Sequence, residues 1–450
     1  MKKMMKRAIA LLAIAAIAAP LASCGNGGSQ TNSRGKVEIR IVTNERSKME
    51  DLQERADEFN ETNDKNISIV FDFKGDNVTD LIKTGYTSKS APDIHIGMGG
   101  AMDLIAKDNG WYRKVPEETV NEWSELYGER FVKRETDGKV YELGTNNPIA
   151  NCSGYKFLWN KDLFREAGLN PDEAPATWND VREYAKKITE IGEGKKYGYV
   201  MPFKDAIFTR YYIVIPGATS GLFNADGFDP RINQYDYSVY EPLIQVYRDI
   251  IADGSVFPSP YTIDNDTARA QFAEGNIGMI CAAGWDVDVF NEQFEVKNDW
   301  GIGEYPVLDE FNGGYPYGVP SGGSNYFMSA MSQHPEEQLE VYKWLLTPDE
   351  RNNQKKLAQK GREEFSIYKY PLAKMDDASN PGAIIKVEGD DCWTQLKDVV
   401  LGTGDITEGL AKISDSYNSA MDKAAAAGED MEVYHDPDYS FFAQNEAELN

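Results

Sequence analysis

Apolar and polar positions along the chain follow two alternating periods. Apolar side chains alternate with polar ones over residues 37–41 and 67–73, the period of two that predicts β-strands. Between them, over residues 49–60, apolar residues recur at helical spacing, which predicts an amphipathic helix. The pattern continues with predicted helices over 81–88 and 101–107 and a buried strand over 92–96. Strands and helices that alternate with short links are typical of an α/β fold with a mostly parallel sheet.

Helix ends in the middle of the chain carry clear local signals. A predicted helix over residues 161–167 stops at Gly168, because glycine tolerates the left-handed conformation at a helix C-terminus. Thr177 and Asp180 stand three residues apart before an apolar helical face, a spacing typical of a capping box. The same reasoning extends the α/β alternation through a helix over 267–274, a strand over 277–280 and a helix that begins at Pro335.

The amino-terminal segment predicts the compartment. A basic start precedes an unbroken apolar run over residues 8–19, which is too short to span about 30 Å of hydrocarbon and is typical of a secretory signal. The small residues that follow end at Cys24 and resemble a bacterial lipoprotein box, which implies that residues 1–23 are removed and that Cys24 is acylated. Residues 25–36 offer no apolar side chain to bury, so residues 24–36 are predicted to be a lipidated cysteine and a flexible tether. We therefore expect a protein at the bacterial cell surface, held by its lipid on the outer face of the membrane.

Composition and charge narrow the function classes. The 450 residues carry 73 acidic and 47 basic side chains, for a net charge of −26. This excess of acid argues against nucleic acid as a partner, because phosphate binding needs clustered Lys and Arg. Only three histidines are present, which argues against a histidine-based metal centre or hydrolase. Cys152, Cys281 and Cys392 are odd in number and widely spaced, which favours buried free thiols and leaves one pairing open.

Two predicted strand ends are candidate ligand contacts. Glu45 follows the first strand, and the glycines at 97, 99 and 100 follow the third. The carboxyl ends of parallel strands line the crevice in which open α/β folds bind ligands. Glu45 is therefore a candidate acceptor for ligand hydroxyl groups. Gly99 and Gly100 would let a ligand approach the backbone, with free N–H groups at the helix behind them.

Motifs of other chemistries are missing from the sequence. The glycines at 97–100 do not match a dinucleotide fingerprint, and no P-loop, zinc motif or nucleophile elbow occurs. Asp226, Asp229 and Asp236 are not spaced as in an EF-hand, which favours an ordinary polar loop over a Ca²⁺ site. The sequence predicts no cofactor, no metal site and no catalytic residue.

Four segments stand in a characteristic order. They are residues 91–94, residues 157–168 with 176–180, residues 271–279 with Gly284-Trp285, and residues 301–306. In this register they resemble the extracellular solute-binding proteins of ABC importers, in the branch of maltose-binding-protein-like carbohydrate receptors. Trp159 and Ala176 are mild departures from the family's usual Tyr and Pro-x-Thr-Trp pattern. The resemblance covers about residues 37–350 and is weak in the tail.

The resemblance implies a two-lobed, type II periplasmic-binding-protein-like fold. Each lobe would be a mostly parallel sheet flanked by helices, and three hinge crossings near residues 143–149, 300–303 and 347–348 would join the lobes. Lobe 1 would hold residues 37–146 with 303–347, and lobe 2 residues 147–302 with 348–450. Ligand would sit between the lobes, and hinge closure would expose the surface that the importer recognises.

The resemblance also implies ligand contacts. Trp285 matches a family position where an aromatic side chain faces the cleft, and Asp286 and Asp288 follow it as candidate hydroxyl acceptors. Phe208 belongs to an aromatic cluster at another cleft segment. The further implied contacts are Tyr211, Tyr212, Tyr315, Tyr317 and Gly322.

These features favour a receptor for a sugar or oligosaccharide. The C–H faces of a pyranose suit aromatic rings, and its hydroxyl groups suit carboxylates and amides. The expected partners are the carbohydrate and the ABC permease subunits, the protein is expected to be a monomer, and its only membrane contact would be the lipid. Two alternatives stay open: a receptor of the same fold for a polyamine or peptide, and a secreted glycoside hydrolase, which would need two carboxylates about 5–9 Å apart.

Overall fold

A computed structural model describes most of the chain. The described residues are 35–75, 77–128, 131–136, 138–145, 154–222, 226–310, 325–348, 355–366, 372–373 and 380–443. The predicted signal, Cys24 and Cys152 lie outside these ranges, as do Tyr315, Tyr317 and Gly322. Within the ranges, every helix is too short or too polar to cross a membrane.

Strands and helices alternate from Val37 onwards, as the hydrophobic pattern predicts. The amino-terminal elements are β1 (Val37–Thr43), α1 (Met49–Thr62), β2 (Ile67–Phe73), α2 (Val78–Thr87), β3 (Ile94–Ile96), α3 (Gly100–Asp108), α4 (Glu117–Tyr127), β4 (Phe131–Thr136) and β5 (Lys139–Thr145). The middle elements are β6 (Tyr155–Asn160), α5 (Lys161–Glu166), α6 (Trp178–Ile191), β7 (Tyr197–Tyr199), α7 (Ile215–Thr219), β8 (Phe228–Asp229), β9 (Gln234–Tyr235), α8 (Glu241–Ala252), α9 (Asn265–Ala273), β10 (Ile277–Ala283), α10 (Asp286–Asp288) and β11 (Trp300–Gly303). The later elements are β12 (Tyr326–Met328), α11 (Pro335–Leu346), α12 (Arg362–Ser366), β13 (Leu372–Ala373), α13 (Cys392–Leu401), α14 (Ile406–Ala426) and β14 (Phe442–Ala443).

Two four-stranded sheets organise these elements. The first has the order β12-β3-β1-β2, and the second has the order β11-β6-β10-β7. Each sheet lies in its own buried core, with Ile39 and Ile41 at the centre of the first and Phe157 and Met279 at the centre of the second. We call the part around the first sheet lobe 1 and the part around the second lobe 2. The α/β class predicted from the sequence is confirmed.

Strand direction differs between the two sheets. In the first sheet, β1 pairs in parallel with β2 and β3, and only β12 is antiparallel. In the second sheet, β6 is antiparallel to both β10 and β11, and only β10 and β7 are parallel. In both sheets three strands therefore run in one direction and one strand opposes them, but in lobe 2 the opposing strand, β6, lies inside the sheet, which the hydrophobic pattern does not predict. The physical reason is that β6 enters this sheet from lobe 1 rather than through a βα unit of its own sheet, so no right-handed crossover fixes its direction.

Local signals in lobe 2 form as the sequence predicts. The Thr177 side chain accepts a hydrogen bond from the Asp180 amide, and Asp180 accepts one from the Thr177 amide, which completes the capping box of α6. Gly168 follows α5 with a φ of +70°. Trp178 is fully buried, and Cys281 and Cys392 are buried free thiols.

The chain contacts lobe 2 for some distance past the predicted second crossing. Strand β11 belongs to the second sheet, where Gly301 pairs with Trp159. Further on, the Trp178 amide donates to the Val307 carbonyl over 2.9 Å. The next described strand, β12, pairs with β3 in lobe 1.

A neutral histidine is built into the centre of lobe 1. His95 on β3 is fully buried. Its Nδ1 donates to the Ile96 carbonyl over 2.8 Å, so its Nε2 accepts from the Tyr86 hydroxyl over 2.7 Å. Burial lowers the pKa of His95 to about 4, because the charged imidazolium would lose its hydration.

This burial predicts acid sensitivity of lobe 1. The unfolded chain takes up a proton at His95 near pH 6.5, whereas the folded chain does so only near pH 4. Above pH 6.5, His95 should not affect the free energy of unfolding. As the pH falls from 6.5 to 4, His95 should lower that free energy by about 1 kcal/mol per pH unit. Urea unfolding at pH 7.5, 6 and 5 measures this slope. His95→Gln should flatten it, while the exposed-site control His435→Gln should not, and equal slopes in the wild type and His95→Gln would contradict the prediction.

Candidate functional site

An aromatic cluster forms where the central strands of lobe 2 end. Ala283, the last residue of β10, pairs with Tyr155, the first residue of β6. Trp285 follows two residues later, so its indole emerges beside Tyr155. The ring centroids of Trp285 and Tyr155 are 5.9 Å apart at 90°, and those of Trp285 and Tyr211 are 5.6 Å apart at 84°. With these contacts the indole remains 43% exposed, so part of its surface is accessible to a ligand.

A recess opens beneath this indole. Its cavity volume is about 10 Å³, close to the room that one water molecule needs. Its lining consists of Phe208, Tyr211, Tyr212, Asn265, Cys281, Ala282, Ala283, Trp285, Asp286 and Tyr305. We call it the Trp285 recess. Aromatic walls with a few polar groups are typical of small-molecule sites, although such sites commonly span about 300–1,000 Å³. In this form the recess is too small to enclose a ring, so a ligand would lie against the exposed indole at its mouth.

Tyr211 and Tyr212 are placed differently, although both line the recess. Tyr211 contacts Trp285 from the side and also packs against Phe208, with centroids 5.8 Å apart. Tyr212 is almost fully buried and meets Phe203 edge-on at 5.6 Å. Tyr211 is thus part of the recess wall, whereas Tyr212 belongs mainly to the core under it.

Asp286 is the buried acid of the recess. Its Oδ2 accepts from the Ala283 amide over 2.7 Å, and its Oδ1 lies 2.5 Å from Nη2 of Arg269. Burial raises the pKa of Asp286, and the Arg269 guanidinium opposes that rise. A buried carboxylate needs such partners, so Asp286 presents to a ligand only the acceptor capacity that these contacts leave.

Asp288 lies away from the recess lining. Its two oxygens contact Arg362 at 2.6 Å and Lys356 at 3.1 Å, and all three side chains are at least nine-tenths buried. Burial alone would raise the pKa of Asp288, but Lys356, Arg362 and Lys48 together lower it. In the described structure, Asp288 anchors the segment over residues 355–366 to lobe 2.

On lobe 1, Glu45 is held at the end of the first sheet. The Tyr326 hydroxyl donates to Glu45 Oε2 over 2.5 Å, and Lys48 pairs with the other carboxylate oxygen. The Glu45 amide donates to Thr43 Oγ1 over 3.1 Å. Burial alone would raise the pKa of Glu45, but Lys48 and the Tyr326 hydroxyl bring it below its ordinary value. Glu45 is thus an ionised acceptor at the edge that faces lobe 2.

The glycine turn after β3 is occupied by an internal acid. Asp103 accepts from the Met98 amide over 2.8 Å and from the Gly99 amide over 3.1 Å. The Tyr112 hydroxyl donates to the same carboxylate over 2.5 Å. Asp103, in the first turn of α3, therefore occupies the amides of Met98 and Gly99, which precede that helix. Gly99 still has a φ of +90° and open space where a Cβ would stand, and Gly100 begins α3.

Contacts between the lobes come from side chains near these edges. Arg46 of lobe 1 lies 3.1 Å from Asp266 of α9. Asp51 of α1 lies 3.4 Å from Lys355, beside the Asp288 cluster. The lobe edges are therefore in contact at these two ion pairs.

Several recess residues carry no mark in the sequence. Four residues in or beside the recess have no distinguishing pattern in the sequence, where they occupy ordinary strand, helix-cap and loop positions: Tyr155, which contacts Trp285, and Asn265, Cys281 and Tyr305, which line the recess. Tyr155 could have been found from its place at the start of β6, opposite the strand that precedes Trp285. Among the described residues, no group of three or more His, Cys, Asp or Glu side chains is placed to hold a metal ion.

Sequence relatives match parts of the chain. This chain is 37% identical over 73 residues to the probable amino-acid ABC transporter periplasmic-binding protein y4oP of Sinorhizobium fredii. That match covers 16% of each of the two chains. This chain is 26% identical over 158 residues to the sn-glycerol-3-phosphate-binding periplasmic protein UgpB of Escherichia coli K12, which covers 35% of this chain and 34% of that one. The matched segments span less than half the length of these relatives.

Solved structures with the same fold match nearly their whole length. The ABC transporter solute-binding protein of Thermotoga lettingae TMO bound to α-D-tagatose gives a TM-score of 0.64 at 18% identity, covering 85% of this chain and 99% of that one. The solute-binding protein of Agrobacterium vitis S4 with bound D-mannitol gives a TM-score of 0.59 at 18% identity. The match covers 86% of this chain and 99% of that one. At this identity the likeness shows the fold, and it confirms the two-lobed architecture.

The family itself follows from a broader match. Residues 43–352, well over half of the chain, match the model of the bacterial extracellular solute-binding proteins. The match includes Glu45, the glycine turn and the whole Trp285 recess. The chain belongs to the bacterial extracellular solute-binding protein family.

Proposed function

We propose that this protein captures a sugar or oligosaccharide between its two lobes and delivers it to the membrane permease of an ABC importer. The observation that carries the proposal is Trp285, whose indole is 43% exposed at the mouth of the recess. Tyr155 and Tyr211 hold the indole edge-on, and Asp286 lies beside it. An aromatic face next to a carboxylate suits the C–H face and the hydroxyl groups of a pyranose.

The ligands of structural neighbours support a carbohydrate. Proteins that share the fold hold α-D-tagatose, D-mannitol and, in the maltodextrin-binding domain of Bdellovibrio bacteriovorus, maltotriose. In this protein, Glu45 is proposed to accept hydroxyl hydrogen bonds from lobe 1, and Gly99 and Gly100 to face the ligand with their backbone. Asp288 is proposed to support the ligand site indirectly, because it holds the segment 355–366 in place through Lys356 and Arg362.

The lobe boundaries remain a prediction. Residues 37–146 with 303–347 would form lobe 1, and residues 147–302 with 348–450 would form lobe 2. The contact of Val307 with Trp178 supports moving the second crossing beyond Val307. Rotation about these crossings would open the cleft to admit ligand.

The protein is proposed to work as a monomeric lipoprotein on the outer face of the membrane. Acylation of Cys24 would supply the anchor, and residues 25–36 would supply a tether of at most about 40 Å. The lipid would be its membrane contact, and the permease subunits its protein partner.

A thermal-shift screen tests the ligand class. A carbohydrate at about 100 times its Kd should stabilise the protein by about 2.7 kcal/mol and raise its Tm. The panel holds tagatose, mannitol, maltotriose and raffinose, with spermidine and a tripeptide as competing classes. A shift with spermidine that fades with salt would favour the polyamine alternative. New reducing ends from maltotriose would favour a hydrolase, and no shift with any carbohydrate would contradict the proposal.

Trp285→Ala tests the recess. Loss of the indole face should weaken the binding of an active carbohydrate by roughly 1–3 kcal/mol, the scale of a lost aromatic anchor. Isothermal titration calorimetry measures the Kd. The control is Tyr261→Ala, which removes an aromatic ring of 44% exposure outside the recess lining and should leave the Kd unchanged. An unchanged Kd in folded Trp285→Ala would remove Trp285 from the site.

Cys24→Ser tests the anchor. Without the thiol that carries the lipid, the protein expressed in a bacterial host should move from the membrane fraction to the soluble extracytoplasmic fraction. Immunoblots of the fractions measure the change, and Cys152→Ser is the matched control that should stay with the membrane. Membrane retention of Cys24→Ser would argue against lipidation at this residue.

A further inference from the structure

A chain of ion pairs runs from the Trp285 recess to the opposite lobe. In the recess, Asp286 Oδ1 lies 2.5 Å from Nη2 of Arg269. Nη1 of the same guanidinium lies 3.1 Å from Asp266 Oδ1. The other oxygen of Asp266, Oδ2, lies 3.1 Å from Nη1 of Arg46 on lobe 1. Two side chains, Arg269 and Asp266, therefore separate a recess residue from a residue of the other lobe.

One short helix supplies the middle of this chain. The Asp264 side chain caps α9 by accepting from the Thr267 amide. Asp266 and Arg269 then stand three residues apart on one face of the helix, the spacing at which side chains meet. Asn265, which lines the recess, lies 3.0 Å from Nη2 of Arg269 with its amide oxygen turned to the guanidinium. The guanidinium thus contacts two recess residues and the acid that faces lobe 1.

Burial along the chain falls from the recess outwards. The side chains of Asp286 and Arg269 are 7% and 11% exposed, whereas those of Asp266 and Arg46 are 23% and 48% exposed. The inner pair is fixed by its need for compensation. The outer pair is hydrated when separated, so it can break and re-form as the lobes move.

We propose that Arg269 is a positioning residue that couples the Trp285 recess to lobe closure: it fixes Asp286 for the ligand and Asp266 for Arg46 at the same time. The inference rests on the proposed function, since it assumes a receptor whose lobes close around a ligand. Planar guanidinium groups suit this role because they can hold two carboxylates in fixed directions.

The charges of these residues indicate whether a change in the recess should open or close the lobes. Asp286, Arg269 and Asp266 together carry a net charge of −1 on lobe 2, opposite the positive charge of Arg46. Neutralising Asp286 leaves Arg269 and Asp266 with no net charge, so the attraction for Arg46 is weaker, although the direct Asp266–Arg46 contact remains. A change inside the recess should therefore open the lobes, although the ion pair of Asp286 is with Arg269 and not with lobe 1.

Small-angle X-ray scattering of the ligand-free full chain tests the coupling. Arg46→Gln and Asp266→Asn should each lower the ratio of closed to open forms by about 1.4- to 5-fold, the range for exposed ion pairs, and raise the radius of gyration. The double variant should match the single ones, because both remove the same contact. Asp286→Asn should raise the radius as well, and should add nothing in the Arg46→Gln background.

The matched control is Arg165→Gln. Arg165 is 47% exposed and pairs with Asp299 at 2.7 Å inside lobe 2, so its loss should leave the radius unchanged. Urea unfolding confirms that each variant is folded. If Asp286→Asn does not fold, Arg269→Lys takes its place, because a lysine cannot direct two carboxylates as a guanidinium does, and it should raise the radius too.

Two results would overturn the inference. One is a radius that does not change in Arg46→Gln. The other is a radius that changes in Arg46→Gln but not in Asp286→Asn or Arg269→Lys. Neither result touches the proposed function, which depends on ligand binding in the thermal-shift screen and not on the ligand-free shape.

Discussion

The pairing of β10 with β6 determines where the recess forms. Ala283 lies opposite Tyr155, so the turn after β10 must emerge beside the start of β6. That turn carries Trp285 and Asp286, and it therefore places the indole against the Tyr155 ring and the carboxylate against the Arg269 guanidinium. Both strands are buried along their whole length, which leaves the register little freedom, since a slip of one residue would turn every side chain to the opposite face.

Burial of charge is the second constraint on the site. An unpaired buried carboxylate costs several kcal/mol, so the acids after β10 are committed to partners before any ligand arrives. Asp286 is shared between the Ala283 amide and Arg269. Asp288 binds Lys356 and Arg362 and so attaches the segment 355–366 to lobe 2. The ion pairs that complete the fold of this turn also fix the geometry of the recess.

Local and family signals account for what the sequence could predict. The capping box at Thr177 and the left-handed Gly168 depend on neighbours within a few residues, and both form as expected. The aromatic role of Trp285 came from family resemblance, and the structure places its indole in a recess. The partners of Asp288 stand 68 and 74 residues away, and no periodicity marks them. The reversed direction of β6 escapes prediction for a similar reason, because alternation shows which face is buried but not which way a strand runs.

The contacts between the lobes suit a cleft that must open. Arg46 with Asp266 and Asp51 with Lys355 are exposed or half-exposed ion pairs, each worth about 0.2–1 kcal/mol. A large apolar contact at the same edges would cost far more to separate, at about 25 cal/mol per Å² exposed to water. With weak polar contacts, the free energy difference between open and closed forms stays small. A ligand that touches both lobes can then decide the equilibrium through its own differential affinity, since a shift in population is limited to what that affinity supplies.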